Sequence, residues 1–342
     1  MTDFLNIFNP GNAMFTKAAL TGSVNTQPYV PEHTSKWLEW NTQGETKRTL
    51  ILEFNEGSLA IIPEAPVGAP GFTPDADVRS AIPVIVPHFP MKKSLLAKQF
   101  EGVRAFGSEL DETIQNATNQ LMAQIDKHNK LIWEIGRLGA ITGLVRGHNG
   151  SIRQNWFNVF RDEDGTPLTQ TTHSVNFANA NTKIRSELIA AKEKAEEHLG
   201  DISATGWVAI CGKNRFRSIT DHQSFEKSFE RYNDGSALRD DLGIDGFSIA
   251  SDMKVVKYSR STVAGVQLIG DDDMYVCPIA PDMYQTRFAP GTSMADLGST
   301  GLPQYVDSKF LDFGDGVEFR AQTNPLSYVT RLQAITKVVQ TA

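Results

Sequence analysis

Apolar residues fall at helical spacing over one long stretch. Leu110, Ile114, Ala117, Leu121, Ile125, Ile132 and Ile135 follow an i, i+3, i+4, i+7 pattern, which predicts a helix over Ser108–Ala140. Ser108 is placed to cap it, Glu109, Asp111 and Glu112 lie in the first turn where the helix dipole favours negative charge, and Gly136 and Gly139 weaken its end. At 1.5 Å per residue such a helix runs roughly 45 Å. A globule of this length has a radius of gyration of only ~20 Å, so the spacing points to an elongated, plate-like molecule.

Elsewhere the pattern is shorter. Thr49–Phe54 and Ser58–Ile62 read as the strands of a hairpin turned by Asn55-Glu56-Gly57. The prolines at 63, 66, 70, 74, 83 and 87 follow, so Pro63–Pro87 reads as a long projecting loop. Leu144–Arg146 and Ser151–Phe157 flank His148-Asn149-Gly150, the strongest turn signal in the chain, because Asn and Gly both tolerate positive φ. A second helix is expected over Lys183–Leu199, capped by Thr182 and stopped by Gly200. Trp207–Cys211 reads as a buried strand and Asn214–Tyr232 as a helix. Phe247–Tyr258, Gly265–Phe288 and Val317–Val339 read as strand-rich. Separated strands and helices without a regular alternation make the chain α+β. Residues 1–45 show no period. They carry Phe4, Phe8, Phe15, Tyr29, Trp37 and Trp40 among turn residues, which suits either an arm that docks elsewhere or a lobe packed on its own core.

Composition narrows the function. The chain has 342 residues, 33 Lys+Arg and 40 Asp+Glu, a formal charge of −7. A surplus of acid disfavours a generic nucleic-acid binder, which needs cations to neutralise phosphates. The two cysteines, Cys211 and Cys277, lie in apolar runs and read as buried free thiols. The N-terminus lacks the pattern of a secretory signal, and no apolar run reaches ~18 residues, so a membrane span is not expected and the chain is expected in the cytoplasm where it is made.

The search for chemistry yields little. Asp271-Asp272-Asp273 is the best candidate for a metal or acid/base cluster, but adjacent residues point different ways, and a solvated turn is the better reading. Asp240-Asp241 reads the same way. The seven histidines form no metal-pair spacing; His148 suits a turn and His198 a helix end. Phosphate loops and nucleophile elbows are missing, and Lys92-Lys93 reads as solvated surface. No catalytic, cofactor-binding or metal-binding residue is assigned.

Four stretches carry a resemblance: Leu96–Gly107 before the long helix; the hairpin Leu144–Gly147 through Asn155-Trp156-Phe157; Ala289-Pro290-Gly291 with Leu297-Gly298 and Gly301–Tyr305; and Gln322–Leu326. In this order they resemble the lambda-like major capsid protein E family of tailed bacteriophages. The resemblance implies the Hong Kong 97-like coat fold: an N-terminal arm (1–45), an E-loop (46–83), a peripheral domain (84–177 and 317–342) with a spine helix over 108–140, and an axial domain (178–316). It implies no enzyme and no cofactor. It implies a chain that self-assembles into hexamers and pentamers of an icosahedral head in the host bacterial cytoplasm. That head would enclose double-stranded DNA without sequence-specific binding. Separate scaffolding, portal and decoration proteins would be its partners. An encapsulating shell of the same fold is the alternative, and a metal-dependent hydrolase using Asp271–Asp273 a more distant one.

Overall fold

The computed structural model describes residues 33–55, 79–96, 110–161, 165–200, 202–225, 246–250, 252–258, 262–263, 266–312 and 315–341. In chain order these form α1 (His33–Trp37), β1 (Trp40–Gly44), β2 (Thr49–Asn55), β3 (Arg79–Ile85), β4 (Phe89–Leu96), α2 (Leu110–Thr142), β5 (Leu144–Arg146), β6 (Ile152–Asn155), α3 (Trp156–Val159), β7 (Thr172–Val175), α4 (Ile184–Glu196), β8 (Gly206–Cys211) and α5 (Lys213–Thr220). Strands then dominate: β9 (Phe247–Ala250), β10 (Met253–Lys257), β11 (Thr262–Val263), β12 (Val266–Gln267), β13 (Met274–Ile279), β14 (Tyr284–Phe288), β15 (Tyr305–Phe310), β16 (Gly316–Thr323), β17 (Pro325–Val329) and β18 (Thr336–Gln340). The mixture is α+β, as the pattern implies.

A six-stranded sheet, ordered β7-β18-β13-β8-β10-β9, forms the largest layer. Its inner strands β8 and β13 are buried on both faces, which is why they read as continuous apolar runs rather than alternating ones. A three-stranded sheet β1-β14-β17 and another, β15-β16-β4, lie along α2.

Helix α2 has 33 residues, about 50 Å at 1.5 Å each. It packs in two apolar clusters. Leu121, Met122 and Ile125 meet Val306, Val317, Phe319 and Ala321 of the β15-β16-β4 sheet. Leu138, Ala140 and Ile141 join the main core. The two glycines do not end it: the helix runs through both to Thr142. Gly139 is instead a packing contact, since a Cβ there would lie 2.7 Å from the Val145 Cα. Gly143, at φ +75°, ends the helix.

Several other expectations change. Of the two readings of residues 1–45, the described part, 33–44, takes the one packed on its own core: it forms α1 and β1, and β1 pairs in parallel with β14 in register Trp40↔Tyr284. The described partner of β2 is β3, in register Ile51↔Pro83, so the end of the proline-rich stretch is a strand. Proline is tolerated there because a two-stranded sheet has only edges. Thr182 does not cap α4; its hydroxyl donates to the Asn176 carbonyl, and Lys183 holds the cap position without a side-chain bond. Helix α5 ends at Thr220, a two-residue break follows at Asp221-His222, and the chain is helical again over 223–225; residues 226–232 of the expected helix lie outside the described residues. The hairpin at Asn149-Gly150 forms, but only Gly150 has positive φ (+77°). The Gly150 amide donates to the Gly147 carbonyl and the Gly147 amide to the Ser151 carbonyl, a three-residue loop rather than a two-residue one. Residues 1–32, Ser58–Ile62, the Ser108 cap, Asp240-Asp241 and Ala97–Gly107 lie outside the described residues.

Candidate functional site

Between its two apolar clusters, the buried face of α2 turns polar. Asp126, Asn129, Lys130, Glu134 and Arg137 recur at helical spacing and are all buried. Charges there are tolerable only if paired, and each has a partner. Lys130 Nζ lies 2.5 Å from Asp126 Oδ2. The Gln304 amide donates to Asp126 Oδ1 (2.9 Å) and accepts from Asn129 (2.7 Å). Trp133 donates to Thr323 Oγ1 (2.9 Å). Glu134 accepts from the Thr34 amide (3.2 Å), the Thr34 hydroxyl (2.5 Å) and the Tyr258 hydroxyl (3.0 Å). Arg137 donates to Ser35 and Thr286 and lies over the Trp40 ring, 5.3 Å from its centroid.

This polar face organises the loop after β14. Asn324 donates to the Pro290 carbonyl (2.9 Å), and its backbone carbonyl accepts from the Ala289 amide (3.0 Å). Gln322 accepts from the Thr292 hydroxyl (2.8 Å), Ser293 donates to Asp296 (2.7 Å), and the Leu302 amide donates to Tyr305 Oη (2.7 Å). Two of the stretches quoted above, Ala289–Tyr305 and Gln322–Leu326, are thereby brought together. The pinned loop presents Met294, 89% exposed, and Leu297, 80% exposed, with Leu302 beside them. The β2-β3 sheet behaves similarly. Leu50, Leu52 and Val84 face the core, whereas Ile51 (62% exposed) and Ile85 (75%) face outward on either side of Pro83. Rigidly held, exposed large apolar side chains mark a protein-interaction surface.

The groups singled out for chemistry are dispersed. Asp271 pairs with Lys213 (3.1 Å), Asp273 with Lys337 (2.9 Å), and the Asp272 carbonyl accepts from Arg215 (2.9 Å). The three aspartates thus tie α5 and β18 to the turn before β13; they do not converge. Among the described residues no group of three or more His, Cys, Asp or Glu side chains is arranged to hold a metal ion. His173 bonds Glu187 (2.9 Å), and His222 bonds Ser224 and the Asn179 carbonyl. His148 sits exposed in its turn and His198 exposed past the end of α4. Lys92 lies on the outer face of its sheet beside Glu318 (3.6 Å). Both cysteines are free and fully buried, and burial pushes both thiols far up. Among the described residues no helix is long and apolar enough to cross a membrane.

The residues that sequence reasoning missed are Met294, Leu297, Leu302, Ile51 and Ile85. A signal existed for three of them: large apolar side chains among Gly291, Gly298, Gly301 and Pro303, where no core element can form.

Comparison with known proteins gives these surfaces a context. In fold the chain is similar to a protein assigned as the capsid protein of an E. coli CFT073 prophage. The TM-score is 0.58 at 12% identity, covering 95% of this chain and 97% of that one. It is also similar to the capsid of cyanophage Pam1, with a TM-score of 0.51 at 11% identity, covering 91% and 93%. In sequence it is 21% identical over 279 residues to the major capsid protein of Pseudomonas phage KPP10, covering 74% of this chain and 76% of that protein. The family model for phage major capsid protein E matches residues 16–340. A match over nearly the whole length, on a fold shared with phage capsids, makes this chain a member of the phage major capsid protein E family, a structural coat protein of the virion and not an enzyme.

Proposed function

We propose that this coat protein closes its shell through hexamers and pentamers, using the outward face of β2-β3 and the loop carrying Met294, Leu297 and Leu302 against neighbouring copies. The supporting observation is that these two surfaces hold five of the six large apolar side chains exposed among the described residues, on backbone otherwise fixed by the core. Two different patches on one chain make a head-to-tail contact, which closes into rings when the rotation permits. In this reading residues 1–45 are the N-terminal arm, 46–83 the E-loop, 84–177 with 317–342 the peripheral domain and 178–316 the axial domain. Separate scaffolding, portal and decoration proteins would complete the head, assembled in the host cytoplasm. The −7 balance suits a container for DNA that does not grip its contents.

The test is assembly of the purified chain, followed by sizing chromatography and negative-stain microscopy. Rings, tubes or shells are expected from the full chain. A chain lacking Glu64–Asp77, which keeps β2 and β3, is expected to remain soluble without forming shells. A full chain that stays monomeric at every concentration, or normal shells from the deletion, would overturn the reading.

A further inference from the structure

We propose that Glu134 is a proton-operated clasp that holds residues 33–44 more firmly when it is protonated. Glu134 is 2% exposed. It sits where three distant parts of the chain meet: α2, the start of α1 at Thr34, and Tyr258 at the end of β10. Residues 33–44 form a strap across these elements. Trp37 packs edge-on against Tyr258, Trp40 lies against Tyr284 and under Arg137, and Leu38 is buried. Four residues separate the end of the strap from Thr49 of β2, so its docking also sets where the β2-β3 sheet begins.

The partners of Glu134 fit the neutral acid as well as the carboxylate. The Thr34 amide is a fixed donor, and it serves Oε1. The other two partners are hydroxyls, which can donate or accept. A proton on Oε2 is donated to Thr34 Oγ1, 2.5 Å away, while Oε1 continues to accept from the Thr34 amide and Tyr258. The Glu134–Thr34 bond therefore survives protonation with its direction reversed, and the change removes a charge from a nearly dry site, where even a hydrogen-bonded carboxylate is costly to bury. Among the groups around it, Arg137 on the same helix is the cation that lowers its pKa. Lys130, one turn away, is engaged by Asp126. The strap brings Thr34 and Ser35, which carry no charge. From β10 comes Tyr258. On the neighbouring β14, Arg287 faces Glu45, 3.7 Å away. Burial outweighs the hydrogen bonds and Arg137 and raises the Glu134 pKa above the ordinary carboxylate value.

The direction of the effect follows by linkage. A group whose pKa is raised in the docked state contributes most below its undocked value, and that contribution is lost as pH rises through the docked value. The strap is therefore tighter in acid and loosens as pH rises through the raised value.

Hydrogen exchange of residues 33–44 tests this on the full-length, unassembled chain, with protection corrected for intrinsic exchange, across a pH series that descends from above neutral to the ordinary carboxyl value of 4.5. A severalfold gain in protection on acidification is expected. Glu134→Gln, neutral at every pH, should be protected throughout with no such gain. Thr34→Val, which removes the hydroxyl that accepts the proton bond, should shrink the gain and lower protection in acid. Protection in the wild type that stays flat or falls on acidification overturns the proposal. So does a gain in Glu134→Gln, or an undiminished gain in Thr34→Val. Because the readout does not need a shell, a chain that fails to assemble refutes the shell reading and leaves this one standing.

Discussion

Gly139 of α2 packs so closely on Val145 of β5 that a Cβ at residue 139 would fall 2.7 Å from the Val145 Cα and 2.8 Å from its Cγ2. The neighbour is backbone, so it cannot rotate away. Gly143 then turns the chain at φ +75°, and β5 folds back along the last turns of the helix. Gly139→Ala gains about 1 kcal/mol of helix propensity but incurs overpacking of roughly 1–3 kcal/mol. The expected net effect is destabilisation, read as a lower midpoint in chemical denaturation. A midpoint above wild type would show that β5 moves freely.

The Asp126–Lys130 pair gives a sharper contrast. Both side chains are less than a tenth exposed, and Gln304 hydrogen-bonds the same carboxylate. Asp126→Ala takes the carboxylate away from a buried ammonium and should cost up to about 3–5 kcal/mol. Replacing both members with apolar residues of similar size should recover most of that loss. A double variant no better than the single one would mean that the pair's worth lies in Gln304 and the loop it holds.

The two faces of β2 should separate folding from assembly. Leu52 points into the core, and Leu52→Ala should cost about 2–5 kcal/mol of stability. Ile51 points outward, so Ile51→Asp should change stability by no more than about 0.5 kcal/mol. Light scattering should nonetheless show assembly lost in Ile51→Asp, and in Leu297→Asp on the other surface. Shells at wild-type yield from both variants would remove these surfaces from the interface.

Both thiols should be silent in the folded chain. Cys211 and Cys277 lie on adjacent strands at zero exposure, and burial disfavours the thiolate that reacts. A maleimide at about pH 8 should label neither until denaturant is added, after which two sites per chain should react. Rapid labelling without denaturant would show that the β8-β13 pair opens locally.

The long helix and the hairpin at Asn149-Gly150 were legible because each rests on local periodicity or turn chemistry. The strand Arg79–Ile85 was not, because Pro83 argues against a strand unless an edge is known to be available. Residues 33–44 were illegible for a different reason. Trp37 and Trp40 have no period of their own, and the strand that organises them, Tyr284–Phe288, lies some 240 positions away in the chain. The cap expected at Thr182 failed because its hydroxyl found a competing carbonyl at Asn176.

The amino-acid sequence by itself determined the α+β class, the long helix, the buried thiols and, through four ordered stretches, the capsid family. These depend on local spacing and residue type, which the chain states directly. Only the tertiary structure decided which side chains work together. Asp126, Asn129, Lys130, Glu134 and Arg137 look like the solvated face of a helix until Gln304, Thr34, Tyr258 and Thr286 arrive from elsewhere and bury them. Met294 and Leu297 look like ordinary apolar residues until their loop is pinned with both facing water. A buried charge and an exposed apolar side chain are defined by what surrounds them, and long-range packing supplies those surroundings.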